Sequence, residues 1–115
     1  MSRATELIVD IETLTDGSLL RPHGDVDMAR SPAFRAKLTE TLKNIPARLV
    51  VDLALVPYMD SCGLATLIEA LQITRAQKTK LIVCNLSARV RSVFELSRLT
   101  TVLTVVDSHE QALLA

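Results

Sequence analysis

Leu49-Val50-Val51-Asp52-Leu53, Pro57-Tyr58-Met59 and Asp60-Ser61-Cys62-Gly63-Leu64 follow one another in the middle of the chain, and their order decides the fold. The first run is short and β-branched, with apolar residues on both faces, which is the pattern of a strand covered on two sides. Beyond Pro57 the carboxylate of Asp60 is placed to cap a helix, in which Leu64, Leu67, Ile68 and Leu71 form one apolar stripe running to about Gln77. A central strand that passes into an amphipathic helix is half of a crossover unit, and crossovers make a parallel sheet faced by helices.

The same grammar extends in both directions. Toward the C-terminus, Lys80-Leu81-Ile82-Val83-Cys84 reads as another buried strand, and Ser87 caps a third helix carrying Val90, Val93 and Phe94. Val102-Leu103-Thr104-Val105 reads as a last strand, and Ser108-x-x-Gln111 has the spacing of a capping box for a terminal helix through Leu114. Toward the N-terminus, Leu7-Ile8-Val9-Asp10-Ile11 and Leu19-Leu20-Arg21 flank a turn at Thr15-Asp16-Gly17-Ser18 and predict a hairpin. A compact loop, His23-Gly24-Asp25-Val26-Asp27, follows. Ser31-Pro32 predicts an N-cap with proline in the first helical position, and Phe34, Leu38, Thr41, Leu42 and Ile45 give helix one a span of roughly 31 to 44, ended by Pro46. The predicted order is β-β-α-β-α-β-α-β-α, an α/β fold with a mixed sheet of about five strands and four helices. No repeat, linker or low-complexity tract interrupts it, so residues 1–115 are expected to form a single domain.

Composition bounds the function. Thirteen basic residues balance thirteen acidic ones, so no overall field draws in nucleic acid or an anionic membrane. Tyr58, Phe34 and Phe94 are the only aromatic residues, too few to build a stacking platform for bases. Cys62 and Cys84 lack C-x-x-C spacing, and Cys84 sits in an apolar run suited to a buried free thiol in a reducing compartment. No apolar run approaches the ~18 residues of a membrane span, and Met1-Ser2-Arg3-Ala4-Thr5-Glu6 lacks a signal-peptide stretch, so the expected location is cytoplasmic.

Ser61 falls on the first turn of helix two. There unpaired amides and a positive macrodipole favour a phosphate attached to an exposed hydroxyl. Gly63 removes a side chain from the same turn and could give a partner's backbone access. Both residues also have simpler readings, Asp60-Ser61 as a plain helix cap and Gly63 as an aid to helix packing. Catalysis by Ser61 or Cys62 would need a base. Only His23 and His109 are available, both read as lone surface histidines, and Gly-x-Ser-x-Gly is absent, so an enzyme is not expected. The scattered Cys and His residues offer no metal-ligand spacing, no glycine-rich phosphate loop is present, and no cofactor is expected. Arg30, Arg35, Lys37, Arg89 and Arg91 read as solvated helix faces.

The strand Leu49 to Leu53, the segment Tyr58-Met59-Asp60-Ser61-Cys62-Gly63-Leu64 and the loop Gly24-Asp25-Val26-Asp27 together resemble the STAS domain, and in particular the bacterial anti-sigma factor antagonists. The similarity extends through Val90-x-x-Val93-Phe94-Glu95-Leu96-Ser97 and Glu110-Gln111-Ala112-Leu113. The resemblance implies that Ser61 is phosphorylated by a serine kinase of the histidine-kinase-like ATPase type that is also the anti-sigma factor, and that a serine phosphatase reverses it. It further implies that the surface of Asp25, Asp27, Asp60, Ser61, Cys62 and Gly63 binds this kinase when Ser61 is unmodified. Two departures stand out: Cys62 replaces a second serine, and Ser97-Arg98-Leu99 replaces Ser-Gly-Leu, so the turn after helix three is expected to differ. A STAS scaffold subunit of a stress-signalling complex, or a cytosolic accessory of a membrane transporter, is the alternative role.

Overall fold

Alternate residues of β3 (Arg48–Asp52) divide the protein in two. Leu49 and Val51 point into one apolar layer and Val50 into another, because successive side chains of a strand leave opposite faces. A computed structural model describes residues 5–115; residues 1–4, which include most of the segment tested above for a signal peptide, lie outside the described residues. Flanking β3 are β1 (Ile8–Thr13), β2 (Gly17–His23), α1 (Ser31–Leu42), α2 (Ser61–Gln77), β4 (Lys80–Cys84), α3 (Ala88–Leu96), β5 (Thr104–Val106) and α4 (His109–Leu114). The five strands lie side by side in sequence order. β1 pairs with β2 antiparallel, and every later neighbour is parallel. The predicted element order and mixed sheet are both present.

The larger layer joins Leu20, Val51 and Val83 of the sheet to Phe34 and Leu38 of α1, Leu67 of α2 and Phe94 of α3, all buried. Three crossovers of the same hand place these helices on one face, as parallel connections require. The smaller layer joins Leu19, Val50, Ile82 and Cys84 to Ala112 of α4 on the opposite face. Each fully buried large apolar side chain stabilises the fold by about 2 kcal/mol.

At the C-terminal end of β3 the Asp52 side chain is 2% exposed and fully paired. It accepts from Arg21 Nε at 3.1 Å, Asn85 Nδ2 at 3.1 Å and the Ala54 amide at 2.9 Å, tying the ends of β2, β3 and β4 together. Burial, and then this carboxylate, push the Cys84 thiol up to about 12, so Cys84 remains a protonated core residue at neutral pH.

Several local expectations are corrected. Ser31 is the buried first residue of α1 and caps nothing. The Asp27 carboxylate takes the Arg30 amide in its place, at 3.0 Å. Helix one ends at Leu42, and Ile45 is exposed. Ile68 leaves the apolar stripe of α2 and is 40% exposed; Ala70 and Thr74 are buried instead. Val102 belongs to no strand. A 3-10 turn at Leu99–Thr101 carries the chain to a later β5 and leaves Val102 exposed and Leu103 buried. In the terminal capping box Ser108 Oγ accepts the Gln111 amide, whereas Gln111 Oε1 reaches one residue further back, to the Asp107 amide. The charged helix faces are more paired than expected: Arg35 meets Glu69, Arg91 meets Asp107, and Arg30 meets Asp27.

The turn after α3 resolves the substitution at Arg98. Arg98 sits at φ 59° and ψ 22°, the left-handed region in which glycine ends a helix without steric cost. The turn therefore keeps the shape that a glycine would favour, and a residue with a Cβ adopts it at a cost of about 1 kcal/mol. Arg98→Gly is expected to raise stability by about 1 kcal/mol in urea unfolding. A loss of stability would show that the Arg98 side chain contributes more than the backbone conformation costs.

Candidate functional site

The C-terminal ends of the parallel strands and the loops that leave them bring the segments of Asp25, Asp27 and Asp60 to one end of the protein. Asp60 organises it. Its extended backbone, φ −99° and ψ −172°, ends the approach to α2 and turns the carboxylate back over the first helical turn. Oδ1 accepts from the Cys62 amide at 2.9 Å and the Gly63 amide at 3.2 Å, as the capping pattern predicts. Oδ2 accepts from the Met28 amide at 2.9 Å, a bond across 32 residues that local sequence does not announce.

That second bond belongs to a larger clasp. The Val26 amide donates to the Tyr58 carbonyl at 3.0 Å, the Asp60 amide donates to the Val26 carbonyl at 3.3 Å, and Val26 bridges Met59 in parallel fashion. The loop after β2 is thus stitched to the segment before α2, with Val26 and Met59 wholly buried between them. Gly63 is the contact that makes this fit. A Cβ there would meet the Met59 side chain at 2.5 Å and the Val26 carbonyl oxygen at 2.6 Å. The space left by the missing side chain is filled from within the protein, so the packing reading of Gly63 replaces the access reading.

Ser61 is exposed at the head of α2, and no described residue engages its hydroxyl. The capping role belongs to Asp60 alone, which leaves the serine oxygen uncommitted. The cap also changes the expected phosphate chemistry: the amides of Cys62 and Gly63, natural ligands for an anion at a helix start, are already occupied by Asp60. Cys62 is half-buried, a free thiol on the side of α2 that faces α1.

The structure brings Asp27 to the same end, half-exposed, with its carboxylate paired to Arg30 Nη1 at 3.2 Å. Asp25 is half-buried and makes no hydrogen bond or ion pair with another described residue. Two neighbours escaped sequence reasoning. Met28 is 72% exposed although its amide is held by Asp60. The Arg89 guanidinium lies 4.7 Å from the centre of the Tyr58 ring, a cation–π contact between segments far apart in sequence.

His23 Nε2 lies 2.7 Å from Asp10 on β1, and His109, half-exposed, begins α4 on the opposite sheet face, with its Nε2 enclosed and without a hydrogen-bond partner among the described residues. Among the described residues no group of three or more His, Cys, Asp or Glu side chains could hold a metal ion, and no helix is long and apolar enough to cross a membrane.

The architecture is a helix-faced mixed sheet with an exposed hydroxyl next to the Asp60 cap. The sequence matches the STAS domain over residues 9–112, and the chain belongs to that family. It is 31% identical over 98 residues to the Bordetella bronchiseptica protein named "Putative anti-sigma factor antagonist BtrV", with 84% of each chain covered. The crystal structure of an anti-sigma factor antagonist from Mycobacterium paratuberculosis superposes with a TM-score of 0.87 at 21% identity, covering 98% of this chain and 96% of that one. The Bacillus cell fate determinant SpoIIAA in its phosphorylated form superposes with a TM-score of 0.71 at 21% identity, covering 92% and 96%.

Asp60→Asn tests the clasp. Asparagine keeps one oxygen for the helix amides but offers the Met28 amide a donor in place of an acceptor. The expected result is five- to tenfold faster hydrogen exchange at Met28, about 1 kcal/mol, with Cys62 and Gly63 still protected. Unchanged exchange at Met28 would show that the loop is held by its backbone bonds alone.

Proposed function

We propose that this protein is an anti-sigma factor antagonist that works in the cytoplasm by partner switching, through reversible phosphorylation of Ser61. Unmodified, the surface of Ser61, Cys62, Asp60, Asp25 and Asp27 docks on a histidine-kinase-like serine kinase that doubles as the anti-sigma factor, and the sigma factor is released. Phosphorylation of Ser61 by that kinase ends the docking, and a serine phosphatase restores it. The protein itself acts by binding and performs no chemistry. Gly63 supports the surface from beneath. The observation that carries the reading is the exposed, uncommitted Ser61 hydroxyl next to the Asp60 cap. The name of the Bordetella bronchiseptica relative points the same way.

The physics of the switch follows from the cap. A phosphoserine carries about −1.5 to −2 charges at neutral pH. With the Cys62 and Gly63 amides held by Asp60, the phosphate has no vacant cradle at those positions and projects outward beside a carboxylate. The macrodipole returns at most about 2 kcal/mol, enough to keep α2 folded. Buried in an interface shaped for a neutral hydroxyl, the same dianion meets desolvation and like-charge penalties of several kcal/mol. Since about 1.4 kcal/mol is tenfold in affinity, the complex dissociates while the fold persists.

Incubation with ATP and the cognate kinase, read by intact mass, is expected to add one phosphate to the wild type and none to Ser61→Ala. Ser61→Glu is expected to bind the kinase at least about 100-fold more weakly than wild type, equivalent to about 2.7 kcal/mol. Phosphate on both proteins would move the site elsewhere, and unchanged affinity of the glutamate variant would remove charge as the cause.

A further inference from the structure

The two faces of the sheet are covered unequally. On one side lie α1, α2 and α3, of 12, 17 and 9 residues. On the other, the fully buried layer of Leu19, Val50, Ile82 and Cys84 is covered by α4, which has six residues, with Leu14, Val106 and Ala115 at the margin. Isolated helices are already marginal below about 12 to 15 residues, so α4 is helical only while it is docked.

Few contacts dock it. Of its described side chains Ala112 alone is buried, and Leu113 and Leu114 are exposed. The enclosed, unpartnered Nε2 of His109 opposes the docked state, because a desolvated polar atom without a hydrogen bond is destabilising. The strongest tie comes from the first residue of β3. Arg48, its side chain 14% exposed, donates through Nη1 to the Ala112 carbonyl at 2.7 Å and through Nε to Asp16 Oδ2 at 3.0 Å. Asp16 lies in the turn between β1 and β2, so this one guanidinium fastens the last turn of α4 to the hairpin. A cation on the carbonyl end of a helix also suits the macrodipole. At the other end Ser108 Oγ closes the first turn by accepting the Gln111 amide at 3.1 Å.

We propose that α4 is a latched strap: it undocks as a unit while the larger core layer stays packed, Arg48 is the latch, and undocking uncovers the smaller layer, Cys84 included. Elements with few buried contacts open at free energies well below that of global unfolding, and α4 has the fewest buried side chains of the four helices. The Cys84 thiol reports the state of the strap. Burial first, then Asp52, and more weakly Glu110 of α4 itself push it up, to about 12. Docked, the thiol is inert. With α4 away, water reaches it and the largest of these causes is removed.

Thiol labelling tests the strap in a Cys62→Ser background, where Cys84 is the remaining thiol. With excess 5,5′-dithiobis(2-nitrobenzoate) at neutral pH, Cys84 is expected to react at least about tenfold faster than global unfolding measured in urea allows, at a rate nearly flat in low urea. Arg48→Met keeps the aliphatic stem and loses both donors; Ser108→Ala loses the cap and lies outside the core. Each is expected to raise the labelling rate about fivefold or more with the same shallow urea dependence. Exchange of the Ala112 amide, which the docked helix donates to the Ser108 carbonyl, should rise in step, while the Val51 and Val83 amides exchange only by global unfolding. Wild-type labelling at the global unfolding rate, with its full urea dependence, overturns the proposal. So does labelling of both variants within about twofold of wild type, or faster labelling that leaves Ala112 exchange unchanged, since the opening would then lie elsewhere.

Discussion

One carboxylate holds the candidate site together. Asp60 ends the approach to α2, closes the first helical turn with one oxygen and draws in the Met28 amide with the other. The two oxygens join segments that the chain separates by 32 residues, and the Val26 and Met59 side chains fill the space beneath them. The candidate site residues at this end inherit their positions from that junction. Ser61 can be exposed without being loose because the residue before it is fixed on two sides, and a charge-assisted bond from a carboxylate to a backbone amide is among the stronger ways to do so.

The same arrangement suits the proposed phosphorylation of Ser61, a change at the surface with a closely packed fold behind it. Behind Ser61 the helix is anchored by Leu64 and Leu67 in the larger core layer, and Gly63 lies flush against the Val26 carbonyl. Cores packed this closely have little room for graded movement. A dianion outside the cap changes what can dock on the surface far more readily than it changes the fold beneath.

Local signals were the legible ones. Asp60 and Ser87 were readable as caps because a cap is a relation between residues two or three apart, and both side chains make the expected bonds. The buried strands at Leu49 and Leu81 were readable because apolar residues on both faces leave few other placements. What sequence did not disclose depends on distant partners. Gly63 is visibly small, but only the fold reveals that Val26 and Met59 claim its space. Tyr58 and Arg89 meet because β3 and β4 are neighbours, and the Met28 amide finds Asp60 for a similar reason. At Val102 the apolar run looked like a strand, yet the left-handed turn at Arg98 and the helical turn after it use up the residues that would have extended it. The misplaced cap at Ser31 has the same origin, since the Asp27 carboxylate reaches the Arg30 amide first.

The most direct test of the central claim compares backbone amide NMR spectra of the unmodified protein and the protein phosphorylated at Ser61. If Asp60 fixes the hydroxyl on an unyielding base, large shifts will be confined to Asp25–Met28 and Asp60–Leu64, with the β3 and β4 amides unmoved. Shifts spreading through Val50, Val51, Ile82 and Val83 would mean that the phosphate reorganises the core, and the account of a surface switch on a fixed fold would be wrong.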